Sequence, residues 1–110
     1  MAVVKPLRRF DVVLVALDPT VGAEIRKTRP CVVISPDEMN LHLDTVIVAP
    51  MTTTFRRYPS RVAVKFGGKT GEVALDQLRS IDTSRAIKNV GTISPASAKL
   101  ISAVLVEMFS

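Results

Sequence analysis

Three short apolar runs, Val12–Leu17, Cys31–Ile34 and Val46–Ala49, each reach a proline within two residues. None is long enough for an ordinary helix. Residues that are apolar at consecutive positions belong in strands buried on both faces. With their flanks these give strands at Phe10–Leu17, which should be central, and at Pro30–Ser35 and Asp44–Pro50, the last ended by its proline. Between the second and third, Pro36–Asn40 reads as a turn or one turn of helix, with Pro36 at a first helical position. Arg61–Phe66 alternates instead, placing Val62, Val64 and Phe66 inward and Arg61 and Lys65 outward. Gly67–Gly71 is then a flexible turn into Glu72–Leu75 and Asp76–Asp82. Short strands punctuated by Gly and Pro predict a compact antiparallel sheet or barrel.

The end of the chain has a different period. Ser94 is an N-cap residue and Pro95 suits the first helical position. Leu100, Ile101, Val104, Leu105 and Met108 then share one face of a helix of about four turns. That face should cover the sheet or meet another subunit. The fold class is therefore mainly β with α (α+β), in one domain over residues 1–110.

Composition excludes several classes of function. Apolar residues make up 47% of the chain, which argues against disorder. No run approaches the roughly 18 apolar residues of a membrane span. Met1–Arg9 lacks the long apolar stretch of a secretory leader. The lone Cys31 rules out an internal disulfide, points to a reducing, cytoplasmic setting, and reads as a small buried hydrophobe. His42 is the single histidine, so neither a histidine-based metal centre nor a paired-histidine nuclease is expected, and no cofactor is implied. The net charge of +5 is compatible with a polyanionic partner.

Charge placement says more than its sum. The loop between the first two strands, bounded by Pro19 and Pro30, carries Glu24 with Arg26, Lys27 and Arg29. A second basic cluster, Arg56, Arg57 and Arg61, follows the third strand. If the fold joins them they create a local positive field, although Arg56, Arg57 and Arg61 serve equally as a solvated face. Taken alone, Arg29 also suits capping of loop carbonyls, and Thr52 and Thr53 satisfaction of a turn. Glu24 suits a surface pair with Arg26 or Lys27, and Asp76 a cap on the following turn. Phe55 and Tyr58 suit either base stacking or packing under their loop.

The ordered set of fragments is more specific than any one of them. DVVLVALDPTVGAE over residues 11–24 and RPCVVISP over 29–36 are followed by VAPMTT over 48–53 and Tyr58-Pro59. Val73–Leu75, Asp76-Gln77, Arg79–Ile81 and the terminal helix complete a series that closely resembles the MazF/PemK family of toxin ribonucleases. The chain departs from it at Phe10, where glycine is common, and at Ala23 and Ala74, where some members carry histidine and arginine.

The resemblance implies an SH3-like, CcdB-like barrel with a C-terminal helix, usually as a homodimer. It also implies metal-independent, sequence-selective cleavage of single-stranded RNA, restrained by a cognate MazE-like antitoxin. By position Arg29 matches the catalytic arginine and Thr52 the catalytic threonine, with Glu24 a loop acid and candidate base. Asp76 and Gln77 match a pair near the site. Arg26, Lys27, Thr53, Arg56, Arg57 and Arg79 complete the expected RNA contacts. Arg29 fits because a planar, permanently charged fork can hold two phosphate oxygens. The alternative is a CcdB-like gyrase inhibitor of the same fold, which acts through a tryptophan-containing tail; this chain has no tryptophan.

Overall fold

The three apolar runs become inner strands of one curled antiparallel sheet with a core on each face. In this computed structural model, which describes residues 6–110, β1 is Asp11–Ala16, β2 Thr28–Val33, β3 Thr45–Thr52 and β4 Arg61–Phe66. Strands β5 (Lys69–Ala74), β6 (Arg79–Asp82) and β7 (Ala86–Thr92) follow, with helices α1 at Asp37–His42 and α2 at Pro95–Met108. The reading of Met1–Arg9 lies, for residues 1–5, outside the described residues. The strand order is β4-β5-β3-β2-β1-β7, with β6 also paired to β3. β1 is internal, as expected.

Alternation along each strand divides the core in two. Val13, Val15, Cys31, Val33, Val48 and Ile81 fill one side. Val12, Val32, Ala49 and Val73 point the other way, onto Ile101 of α2. Ile101 is fully buried, and such burial contributes about 2 kcal/mol. Ser94 caps α2 by accepting from the Ser97 N–H, with Pro95 in the first turn. Ile101, Val104 and Leu105 of the expected apolar face pack on the sheet, whereas Leu100 is 56% exposed. No helix among the described residues is long and apolar enough to cross a membrane.

Several boundaries differ from the sequence reading. Pro50 does not end β3; the strand runs on to Thr52. Along that edge β6 pairs up to Val48 and β5 starts at Met51, so Pro50 falls in the gap, where a missing N–H breaks no rung. The turn at Gly67 is only two residues long. Gly67 and Gly68 both have positive φ, as a tight hairpin turn requires, and β5 begins at Lys69. Pro36 is the N-cap of α1 rather than its first residue, and α1 extends to His42. β7 carries no apolar signature because Ile87, Lys88, Asn89 and Val90 are exposed on an edge strand.

Arg61 is the main correction. Its side chain is 6% exposed rather than outward, because it bridges Glu72 and Asp76. A guanidinium offered two carboxylates beneath a loop stays there in preference to solvent.

Candidate active site

Arg29 and Thr52 line one pocket, two residues beyond the last β2–β3 pair on each strand. β2 pairs with β3 through Val33↔Val48, Val32↔Ala49 and Cys31↔Pro50. Arg29 itself pairs with Val15 of β1. Thr52 in turn pairs with Glu72 on β5. Both Arg29 and Thr52 line a pocket of about 680 Å³ whose other walls are the β1–β2 loop and the segment after β3.

The chemistry available at the pair follows from what each group already bonds. Arg29 donates Nε–H to the Arg26 carbonyl at 3.0 Å, which fixes the guanidinium plane. Its two terminal NH2 groups have no hydrogen-bond partner among the described residues, and Arg29 lines the pocket. Thr52 Oγ1 accepts from the Thr54 N–H at 3.1 Å, leaving the hydroxyl proton to be donated. Glu24 Oε1 accepts from the Val21 N–H at 2.6 Å, and Glu24 forms no ion pair among the described residues. Glu24 lines the same pocket.

The β1–β2 loop is held from the far end of the chain. Gln77 Oε1 accepts from the Ile25 N–H at 2.7 Å. Arg79 donates to the Leu17 carbonyl at 3.2 Å, and Arg85 to the Ala16 and Asp18 carbonyls at 2.9 and 2.6 Å. Gln77, placed at substrate by the sequence reading, therefore lines the pocket and also anchors its loop.

The opposite wall is the basic segment between β3 and β4. Glu72, 2% exposed, accepts the backbone N–H groups of Arg56 and Arg57 at 3.0 Å each and Nη1 of Arg61 at 3.4 Å. Asp76 accepts from Arg61 Nε at 2.6 Å and Nη2 at 3.2 Å, and from Ser60 at 2.9 Å. Arg57 adopts a positive φ of 57°, which this clamp stabilises. The Arg61 guanidinium also lies 5.1 Å from the centre of the Tyr58 ring, at the pocket wall. Burial disfavours the charged form of Glu72, but the two backbone N–H groups and Arg61 outweigh it and lower the pKa. The Arg61 hydrogen bonds hold Asp76 low against a smaller opposing effect of burial.

Those shifts set an acid limit. Both carboxylates are lowered from unfolded values of about 4, so their stabilisation is complete above that pH and fades as pH falls through the folded values. Wild-type urea midpoints are expected to drop steeply below about pH 4. Asp76→Asn should flatten that dependence, and an equally steep curve in the variant would contradict the clamp.

The expected site residues separate by location. Glu24, Arg26, Arg29, Thr52 and Arg56 share the pocket with Asp76 and Gln77. Thr53 lines a smaller hollow beyond Arg29, and Arg79 an adjoining one that shares Glu24 and Gln77. Lys27 and Arg57 line none of these. Sequence reasoning missed Glu72, which had no motif to mark it; its apolar surroundings, Val73–Leu75, were the available signal. Cys31 is buried, and burial pushes its thiol up to about 12 despite Arg79 and Arg29, so it is inert packing.

Gly71 sets how closely β5 approaches the pair. A Cβ built there would lie 2.7 Å from the Thr52 carbonyl oxygen. Gly71→Ala is expected to cost about 1–3 kcal/mol and to displace Thr52. Wild-type stability in urea denaturation would count against that contact.

Residues 8–109 match the family described as PemK-like, MazF-like toxin of type II toxin-antitoxin system. The Escherichia coli (strain K12) endoribonuclease toxin MazF is 34% identical over 94 residues, covering 84% of this chain and 85% of its own. Endoribonuclease MazF9 of Mycobacterium tuberculosis is 33% identical over 101 residues, covering 82% and 85%. Among solved structures, MazF from Deinococcus radiodurans superposes with a TM-score of 0.83 over 96% of this chain and 97% of that one, at 23% identity. A mycobacterial endoribonuclease in complex with its cognate antitoxin gives 0.80, also at 23% identity, over 94% of each chain. The half-barrel with its terminal helix is thus the fold of those structures, and by its sequence match the chain belongs to the PemK/MazF family of type II toxin–antitoxin toxins.

Proposed function

We propose that this chain is an endoribonuclease toxin that cuts single-stranded RNA, sequence-selectively and without a metal, in the cytoplasm. The observation that carries the reading is that Arg29, its terminal NH2 groups unpaired among the described residues, shares one pocket with Thr52. The ribose 2′-oxygen attacks the adjacent phosphorus as its proton leaves, and the bond from phosphorus to the 5′-oxygen breaks. The 5′-oxygen takes up a proton, giving a 2′,3′-cyclic phosphate and a 5′-hydroxyl. Arg29 holds two phosphate oxygens as charge accumulates. Thr52 donates to a phosphate oxygen or orients the attacking hydroxyl. Glu24 is the base: of the two pocket carboxylates, Asp76 is occupied by Arg61 and Ser60.

Arg26 and Arg56, exposed on opposite walls, draw the RNA backbone across the pair. The same cations suit an acidic segment of an antitoxin, which would block substrate by occupying them. Leu100, Val106 and Phe109, all exposed on or just beyond α2, support a homodimer. No observation favours gyrase inhibition.

The deciding experiment is digestion of a diverse RNA panel by purified protein in excess EDTA, with both fragment ends mapped. Cleavage at a recurrent sequence with cyclic phosphate ends is expected. An intact panel, or activity abolished by EDTA, would overturn the proposal.

A further inference from the structure

Glu24 stands on a loop that does little to hold itself still. Gly22 and Lys27 both have positive φ, and Val21–Glu24 are exposed. The Glu24 carboxylate accepts from the Val21 N–H, and the Glu24 N–H donates to the Val21 carbonyl. Both bonds shape the turn from within and leave its place over the sheet undecided. Among the described residues, the hydrogen bonds that tie Pro19–Ile25 to the rest of the fold come from Gln77.

The Gln77 amide closes on the two peptide groups that flank Glu24. Its Oε1 accepts from the Ile25 N–H at 2.7 Å, and its Nε2 donates to the Ala23 carbonyl at 3.5 Å. Only a side chain with an acceptor and a donor at one end can meet both. Gln77 is itself well fixed. It ends the short 3-10 turn Leu75–Gln77, whose buried Leu75 donates its N–H to the Ser60 carbonyl at 3.1 Å. Asp76, just before it, is tied to Arg61 and Ser60. Beyond the clasp, the Ile25 side chain packs against the core. A base must lie within roughly 3 Å of the proton it takes. A misplacement of about 1 Å can cost on the order of 100-fold in rate.

We propose that Gln77 is a positioning residue for Glu24, acting through the two peptide groups it clasps and not by touching RNA. The inference rests on the endoribonuclease reading above, with Glu24 as its base. The test is a double-mutant cycle in single-turnover cleavage of an RNA carrying the mapped cut sequence. Gln77→Met keeps the length of the side chain and removes both polar groups. It is expected to lower the maximal rate about tenfold to 100-fold while leaving the half-saturating protein concentration nearly unchanged. In a Glu24→Gln background, itself slow, the same substitution should add less than about twofold, because no base is left to misplace. Amide exchange at Ile25 should accelerate in Gln77→Met. A side chain that contacts RNA, or one that merely keeps the pocket folded, would slow the Glu24→Gln protein as much as the wild type. That result, a wild-type rate in Gln77→Met, or unchanged exchange at Ile25 would overturn the positioning role alone. A Glu24→Gln protein as fast as wild type would remove the base and this role with it. Wild-type protein that cuts no RNA would overturn the endoribonuclease reading as a whole.

Discussion

Arg29→Ala is expected to lower RNA cleavage by about 100- to 1000-fold while leaving the fold intact. The two halves of that expectation have separate causes. Structurally the side chain makes one hydrogen bond, to the Arg26 carbonyl, from a partly exposed strand position, so its removal leaves no buried group unpaired. Chemically, among the described residues, it is the one pocket guanidinium with a single backbone bond on Nε and two unpaired NH2 groups. Arg61, also at the pocket, is occupied by two carboxylates and cannot substitute. Arg29→Lys keeps the charge but loses the planar fork, so its activity should fall between wild type and alanine. Single-turnover cleavage and urea denaturation on the same preparations separate the two effects. Activity within threefold of wild type would remove Arg29 from the chemistry.

The sequence exposes the parts of this site that depend on short range and hides those that depend on pairing. Three apolar runs fix three buried strands, and Ser94-Pro95 fixes the start of α2. Arg29 and Thr52 are named by family resemblance; only the folded sheet brings them to one pocket. Pro50 misleads in isolation because whether a proline ends a strand depends on which partner strand lies beside it. β7 stays hidden because an exposed edge strand needs no apolar alternation. Arg61 is misread, and the anchoring contact of Gln77 missed, for a common reason. A polar side chain in a loop or at a strand end is as able to hold backbone or carboxylate as to reach solvent, and tertiary contact decides.

The clamp explains why polar loops distant in the chain make one pocket. Gln77, Arg79 and Arg85 fasten the β1–β2 loop, while Glu72 and Asp76 fasten the β3–β4 segment through its backbone and Arg61. Residues 72–85 thereby position both walls. The cations of those walls repel one another, and buried carboxylate on one side offsets that cost.

Glu72→Ala is therefore expected to destabilise the protein by about 3 kcal/mol, with a fall in Tm on the order of 15 °C. Two backbone N–H groups lose their acceptor, and Arg61 keeps only Asp76. Leaving such groups unpaired costs more than the mean worth of a hydrogen bond. Arg57 loses the support for its positive φ, and the segment carrying Arg56 and Tyr58 loosens. Amide exchange at Arg56 and Arg57 should accelerate ahead of that in β1 and β2. Because Arg29 and Thr52 stay on their strands, the loss of activity should appear mainly as a raised KM. Glu72→Gln retains a carbonyl acceptor for one N–H and should suffer less in each measurement. A Glu72→Ala protein with wild-type Tm and unchanged protection at Arg56 and Arg57 would show that this carboxylate does not hold the wall.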